Sequence, residues 1–172
     1  MKKNPEIRFT PSSHWHWDQK ELFLLEKGAL WTEINGKEKI FTPKDGLFGA
    51  EVGAYHAFDV DYSQNEDVIL KLYTQPDDKG ADEKFFRNLL SYLDDCQKAS
   101  VKPSMFQMLL FFHSADASMG LTETPGAIGK FVSRWILGFV GGKIIGEKIL
   151  GYKASYKEYY AGSFDETEKK KQ

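Results

Sequence analysis

Cysteine is almost missing from this chain. Cys96 is the only one, so no intrachain disulfide forms and a thiolate cage for a metal is excluded. Basic charge is not in excess either: 23 Lys and Arg against 25 Asp and Glu leave a net charge of -2. Without a positive field or a recognition motif, nucleic acid is not expected as a partner. No apolar run follows the lysines of MKKNPEIRFT, so the N-terminus does not read as a secretory signal. Together with the lack of disulfides, this gives the expectation of a cytoplasmic protein. A helix that spans a bilayer needs about 20 apolar residues. The uncharged run Trp135 to Gly142 has eight, and Lys130, Arg134, Lys143, Glu147 and Lys148 around it disfavour a span. No glycine-rich phosphate loop is present.

Apolar and aromatic residues are plentiful, at 41% and 15% of 172 residues, which supports a packed core in one domain with an appended part. The first 76 residues read as β-rich. Glu6 to Thr10 alternates before Pro11, and Leu22, Phe23, Leu24 and Leu25 form a short apolar run consistent with a buried strand. Ala29 to Ile34 is another strand. Asn35-Gly36 is a hairpin signal because both positions tolerate positive φ. Lys37 to Thr42 is the return strand, closed by the turn Pro43-Lys44-Asp45-Gly46. Short extended pieces run from Gly46 to Asp61, and Val68 to Thr74 is a strand that ends at Pro76. Many short strands with turns between them argue for a small antiparallel barrel or sandwich.

The period then lengthens from two toward 3.6. Phe85, Phe86, Leu89, Leu90 and Leu93 share a face of a helix beginning near Asp82. A second helix, opened by Pro103-Ser104, carries Met105 to Phe112, and a third segment runs from Thr124-Pro125 to about Leu150. The expected division is a barrel over 1–76 and a helical extension over 77–172, with a linker at 76–81 and a disordered tail from about 165 to 172. The segment 126–152 reads as a helix that packs on the barrel or on a partner copy. Its basic, amphipathic character also suits contact with a membrane surface.

Three of the four histidines stand near one carboxylate in an informative order. His14 and His16 flank Trp15, Glu21 follows, and His56 lies further on. Alternation along a strand points His14 and His16 to the same side. Imidazole and carboxylate are ligands that Mn, Fe, Co, Ni, Cu and Zn accept. The pattern resembles the first motif of the cupin superfamily, which is His-x-His, three or four residues, Glu, six residues, Gly. Here the anchors are His14, His16, Glu21 and Gly28. The second cupin motif, Pro-x-Gly, two residues, His, is matched by Gly53 and His56, with Glu51 in the place of proline. The whole chain also resembles small fungal cupin proteins with a helical tail and a segment like Gly151 to Tyr156.

The resemblance implies a mainly β fold, an antiparallel jelly-roll-like cupin barrel, with the α-helical C-terminal region appended. It implies that His14, His16, Glu21 and His56 hold one divalent transition metal ion (Fe, Mn, Zn, Ni, Co or Cu). The chain ahead of the first motif is short for a cupin. The expectation is therefore a barrel completed by C-terminal chain or by strand exchange in a homodimer.

Three neutral imidazoles and one carboxylate leave one positive charge on a divalent ion and two open positions in an octahedron. Such a centre supports Lewis-acid or dioxygen chemistry. Phe23 and Leu25 share a face with Glu21, and Tyr55 and Phe58 flank His56. Phe23, Leu25 and Phe58 are therefore expected to line a substrate pocket, with Tyr55 as a proton donor. Glu33 and Glu51 read as solvated carboxylates, His113 as a helix-end residue, and Cys96 as structural. The expected function is a metal-dependent enzyme acting on a small apolar or aromatic molecule in specialised metabolism. The reaction types left open are oxygenase, isomerase, cyclase and lyase. A non-catalytic binding cupin and a protein attached to membrane surfaces through 126–152 are the alternatives.

Overall fold

The computed structural model describes residues 13–64, 66–76, 81–120 and 126–161. The alternating segment Glu6 to Thr10, most of the linker, the Thr124-Pro125 start and the tail from 165 lie outside the described residues.

The hairpin forms where Asn35 and Gly36 predict it. Both adopt positive φ, 50° and 76°, which matches the twist of the strands they join. These are β3 (Leu30–Ile34) and β4 (Lys37–Phe41), paired antiparallel with Ile34 opposite Lys37. The turn after β4 closes on Asp45. Its carboxylate accepts hydrogen bonds from the Thr42 backbone N–H (2.8 Å) and hydroxyl (2.9 Å), with Lys39 Nζ 3.0 Å away. The Thr42 backbone bond, then Lys39, holds the Asp45 carboxyl down at about 2.

The strand before the hairpin, β2 (Lys20–Lys27), alternates cleanly, with Glu21, Phe23 and Leu25 buried on one face. Its neighbours β5 (Leu47–Ala50) and β7 (Ile69–Gln75) complete a three-stranded antiparallel sheet, β5-β2-β7. The second sheet has the order β4-β3-β6-β1-β8 and includes β1 (His14–His16), β6 (His56–Val60) and β8 (Ala117–Met119). The inner faces meet over Phe23, Leu25, Leu30 and Phe58, with Phe48, Val68, Leu70 and Leu72 packed around them. Burying each such side chain contributes on the order of 2 kcal/mol. Among the described residues the sheets meet through side chains and not through a continuous ladder, so the β layer is two facing sheets and not one closed barrel.

The helical half is not separate from the sheet. Helices α1 (Ala81–Lys98) and α2 (Met105–Ser114) follow the linker, and the chain then turns at Asp116, φ 56°, into β8. β8 pairs antiparallel with β1, with Trp15 opposite Ser118. C-terminal chain thus fills the sheet edge beside β1, and the boundary expected at 76 is crossed by this strand.

Residues 127–149 form one continuous helix whose winding changes. α3 (Ala127–Phe131) runs straight into α4 (Val132–Ile149), which has the wider i→i+5 hydrogen bonding of a π-helix, as in Leu150 N–H to Ile145 O at 2.9 Å. The buried residues explain the winding. Gly141 is buried beside Gly142, and Ser133, Gly138, Gly142 and Gly146, spaced by five, four and four, share one row only in a turn wider than 3.6 residues. That row presses on α2: a Cβ on Gly142 would lie 2.8 Å from main-chain atoms of Leu109 and Leu110. The other side of α3 and α4 exposes Ile128, Phe131, Trp135 and Ile136. No helix among the described residues is long and apolar enough to cross a membrane.

The segment after α4 is pinned by buried amides. Asn88 accepts from Tyr156 N–H (2.7 Å) and donates to the Ser155 hydroxyl (3.0 Å). Gln107 accepts from the Tyr156 hydroxyl (2.6 Å) and donates to Lys153 O (3.0 Å). Both amides are fully buried and satisfied, as buried polar groups need to be.

Candidate metal centre

Register brings the histidines together. In the five-stranded sheet His14 lies directly opposite His56 on the neighbouring antiparallel strand. His16, two residues on, falls on the same face as His14. Glu21 comes from the inner face of β2 in the other sheet. One ligand atom from each of His14, His16, Glu21 and His56 lies within 4.8 Å of the others, and all four residues are buried, 3–6% exposed. These residues can bind a metal ion.

The protonation pattern follows from the partners. The Ala54 carbonyl only accepts, so His56 donates to it from Nδ1 (3.0 Å) and turns Nε2 toward a Glu21 oxygen at 2.8 Å. A metal ion would take both of these atoms as ligands. The Ala54 contact is the kind of outer-shell bond that orients a ligating imidazole. His16 gives the sharper test of fit. It is buried, both ring nitrogens lack a hydrogen-bond partner among the described residues, and its Nε2 stands 3.9 Å from the Glu21 carboxylate. A buried imidazole with no partner costs about 1–3 kcal/mol. A cation between His16 and Glu21 would satisfy it, so the residues present fit a metal. Gly49 is part of the construction: it pairs with Leu22 across β5 and β2, and a Cβ there would collide with the Glu21 carbonyl.

Burial lowers the His16 pKa below the usual 6.5; the Glu21 carboxylate opposes this and His56 adds to it. Burial also lowers His113, helped by Lys143 and Arg134. For both, the unfolded chain takes up protons before the folded one. Their contribution to stability is therefore complete above about pH 6.5 and is lost as the pH falls below it. Urea titration of the metal-free protein at about pH 7.5 and about pH 5.5 is expected to show a lower midpoint at the acid value. His16→Asn and His113→Asn should each reduce that difference.

The apolar residues expected near the site are placed unequally. The Phe23 ring lies 6.3 Å from His56 and 5.3 Å from Phe58, and all three are inside. Leu25 is further along β2 in the same buried cluster. Tyr55 is not brought to the ligands. It immediately precedes His56 and so faces the other way; its ring packs on Trp15 (6.1 Å) beneath Lys130 Nζ (5.6 Å). Burial pushes the Tyr55 hydroxyl up to about 12, and it has no hydrogen-bond partner among the described residues. The Tyr55 ring, expected to serve as a proton donor, is thus placed on the back of β1. Glu51 is exposed, Cys96 is buried, and the His113 ring packs tilted against Trp17 at 5.0 Å, away from the ligand set.

Periodicity did not reveal the contributions of the helical half. The Phe112 ring lies 5.7 Å from His14. Behind β1, Lys130 donates to Gly53 O (2.5 Å) and Arg134 lies over Trp17 (4.2 Å). These contacts tie α3 and α4 to the strand that carries two ligands.

No protein-family model matches the chain. Several curated fungal proteins are similar to it. The probable oxidoreductase virH of Hypocrea virens is 37% identical over 155 residues, covering 87% of this chain and 68% of that protein. The oxidoreductase iacF of Pestalotiopsis fici is 34% identical over 123 residues, 68% of this chain and 60% of its own length. The epoxidase atD of Aspergillus terreus is 30% identical over 155 residues, 87% of this chain and 46% of that protein. The chain thus spans about two thirds of the first relative and about half of the third. With that identity over that share of both chains, this chain belongs to the fungal family that includes the probable oxidoreductase virH.

Proposed function

We propose that the chain has the cupin jelly-roll fold and is a metal-dependent oxidoreductase acting on a small apolar or aromatic organic molecule in specialised metabolism. The observation that carries this reading is the buried quartet His14, His16, Glu21 and His56, with His16 unpartnered at both nitrogens among the described residues. Bound there, a redox-active divalent metal would supply electron transfer and Lewis acidity at its open positions. The chain's own residues do the rest. His56 is oriented by Ala54 O, and the Glu21 carboxylate supplies the one anionic ligand. Phe23 and Phe58 exclude water and give the substrate an apolar wall. The names oxidoreductase and epoxidase among the relatives favour an oxygenase over an isomerase, cyclase or lyase.

The test is reconstitution. Metal-free protein is loaded in parallel with Fe(II), Mn(II), Co(II) and Zn(II) and offered a panel of aromatic and apolar substrates while dioxygen uptake and products are followed. The expected result is substrate-dependent dioxygen uptake with a redox-active metal and none with zinc. Equal turnover with zinc and without dioxygen would move the protein to the isomerase and lyase group. Tight metal binding with no turnover in any arm would favour a binding protein.

A further inference from the structure

With the four ligand residues 3–6% exposed, a substrate reaches them only by a passage between side chains. On one side that passage is closed. Phe23 touches His56, and behind it Leu25, Leu30 and Phe58 are packed and buried. On the helical side the contacts form a file that leads outward. His14 meets Phe112 at 5.7 Å, and Phe112 meets Phe85 at 5.3 Å, edge to face. Phe85 is only half-buried and lines a cavity of about 70 Å3, together with Lys84, Phe111, Ser114, Ala115 and Ala154. The cavity lies among α1, α2 and the C-terminal segment that Asn88 and Gln107 hold in place.

The geometry points to this cavity as the outer end of the substrate passage, with Phe85 and Phe112 as the rings that turn aside to admit a molecule to the His14 side of the centre. The inference rests on the metal reading above. The cavity is well below the several hundred Å3 of a pocket for a drug-sized ligand, so it takes a small molecule or one end of a larger one. Phe85 and Phe111 offer flat apolar faces, and Lys84 and Ser114 are the polar members of its wall. The class that fits is a small planar molecule carrying a hydrogen-bond-accepting or acidic group. Ring reorientation at a half-buried phenylalanine is a small motion; Phe112, fully buried, is the inner and slower barrier.

Cobalt-loaded protein tests this without knowledge of the substrate. Azide and phenylimidazole are mixed rapidly with it, and the visible spectrum of the cobalt reports arrival at the metal. Phe85→Ala, which opens the passage, is expected to speed the phenylimidazole reaction about tenfold, and Ala154→Trp, which fills the cavity, to slow it about tenfold. Azide should change less in both. Phe85→Leu is the milder opening variant should the alanine fail to fold. Two results overturn the passage while leaving the metal reading intact: unchanged rates in both variants, or phenylimidazole as fast as azide in the wild-type protein. A protein that takes up no cobalt overturns the metal reading and the passage with it.

Discussion

Glu21→Gln is expected to lower the affinity for a divalent transition metal by more than about 100-fold while the fold is retained. Loss of an outer-shell partner to a metal ligand already costs 10–100-fold, and Glu21 is the only carboxylate in the ligand set. Glutamine keeps the shape but removes the anionic charge, so three imidazoles face a doubly charged ion in a buried site. In the metal-free protein the amide can still hydrogen-bond His56 Nε2, now 2.8 Å from the carboxylate, and the change in stability should stay within about 1.5 kcal/mol. His56→Ala is the poorer probe. It strips the buried Glu21 carboxylate of its nearest partner, and an uncompensated buried charge costs about 3–5 kcal/mol. Metal titration followed by calorimetry, with urea denaturation alongside, separates the two effects.

Gly142→Ala is expected to destabilise the protein by about 1–3 kcal/mol, the range for forcing a methyl group into a packed interface. At an exposed helical site the same change gains about 1 kcal/mol, because glycine is a poor helix former. Here the sign reverses. The new Cβ would stand 2.8 Å from Leu109 C and Leu110 N, which are main-chain atoms that no rotamer change removes. α4 and α2 would have to separate, exposing part of Leu109 and Leu110, which are buried. Gly126→Ala is the internal control. Among the described residues nothing lies within 4 Å of its Cβ position, and its effect should stay within about 0.5 kcal/mol. Because α2 also carries Phe112 against His14, Gly142→Ala should weaken metal binding as well as the fold.

What the sequence reveals here depends on how local the cause is. The Asn35-Gly36 turn and the alternation of β2 need only neighbouring residues, and both are legible. The four ligands are legible for a related reason: each sits in a short motif with a fixed spacing. Tyr55 was open to the same logic, since a residue one place before His56 faces away while Phe58, two places after, shares its face. β8 is a different case. Ala117, Ser118 and Met119 carry no alternation to read, and they are a strand because β1 offers them a ladder. The row Ser133, Gly138, Gly142 and Gly146 does carry a signal, but at a period no ordinary helix has. A search at 3.6 residues per turn scatters it. Phe112 reads as plain core in its own helix, and only the packing of α2 against β1 brings it to His14.

Diffraction from crystals of the metal-loaded protein, collected on either side of the metal absorption edge, tests the central claim most directly. The account requires one strong anomalous peak per chain, about 2.0–2.3 Å from a nitrogen of each of His14, His16 and His56 and from an oxygen of Glu21. A crystal soaked to saturation with no peak there, or with its only peak elsewhere while the quartet keeps the His56–Glu21 contact at 2.8 Å, would contradict it.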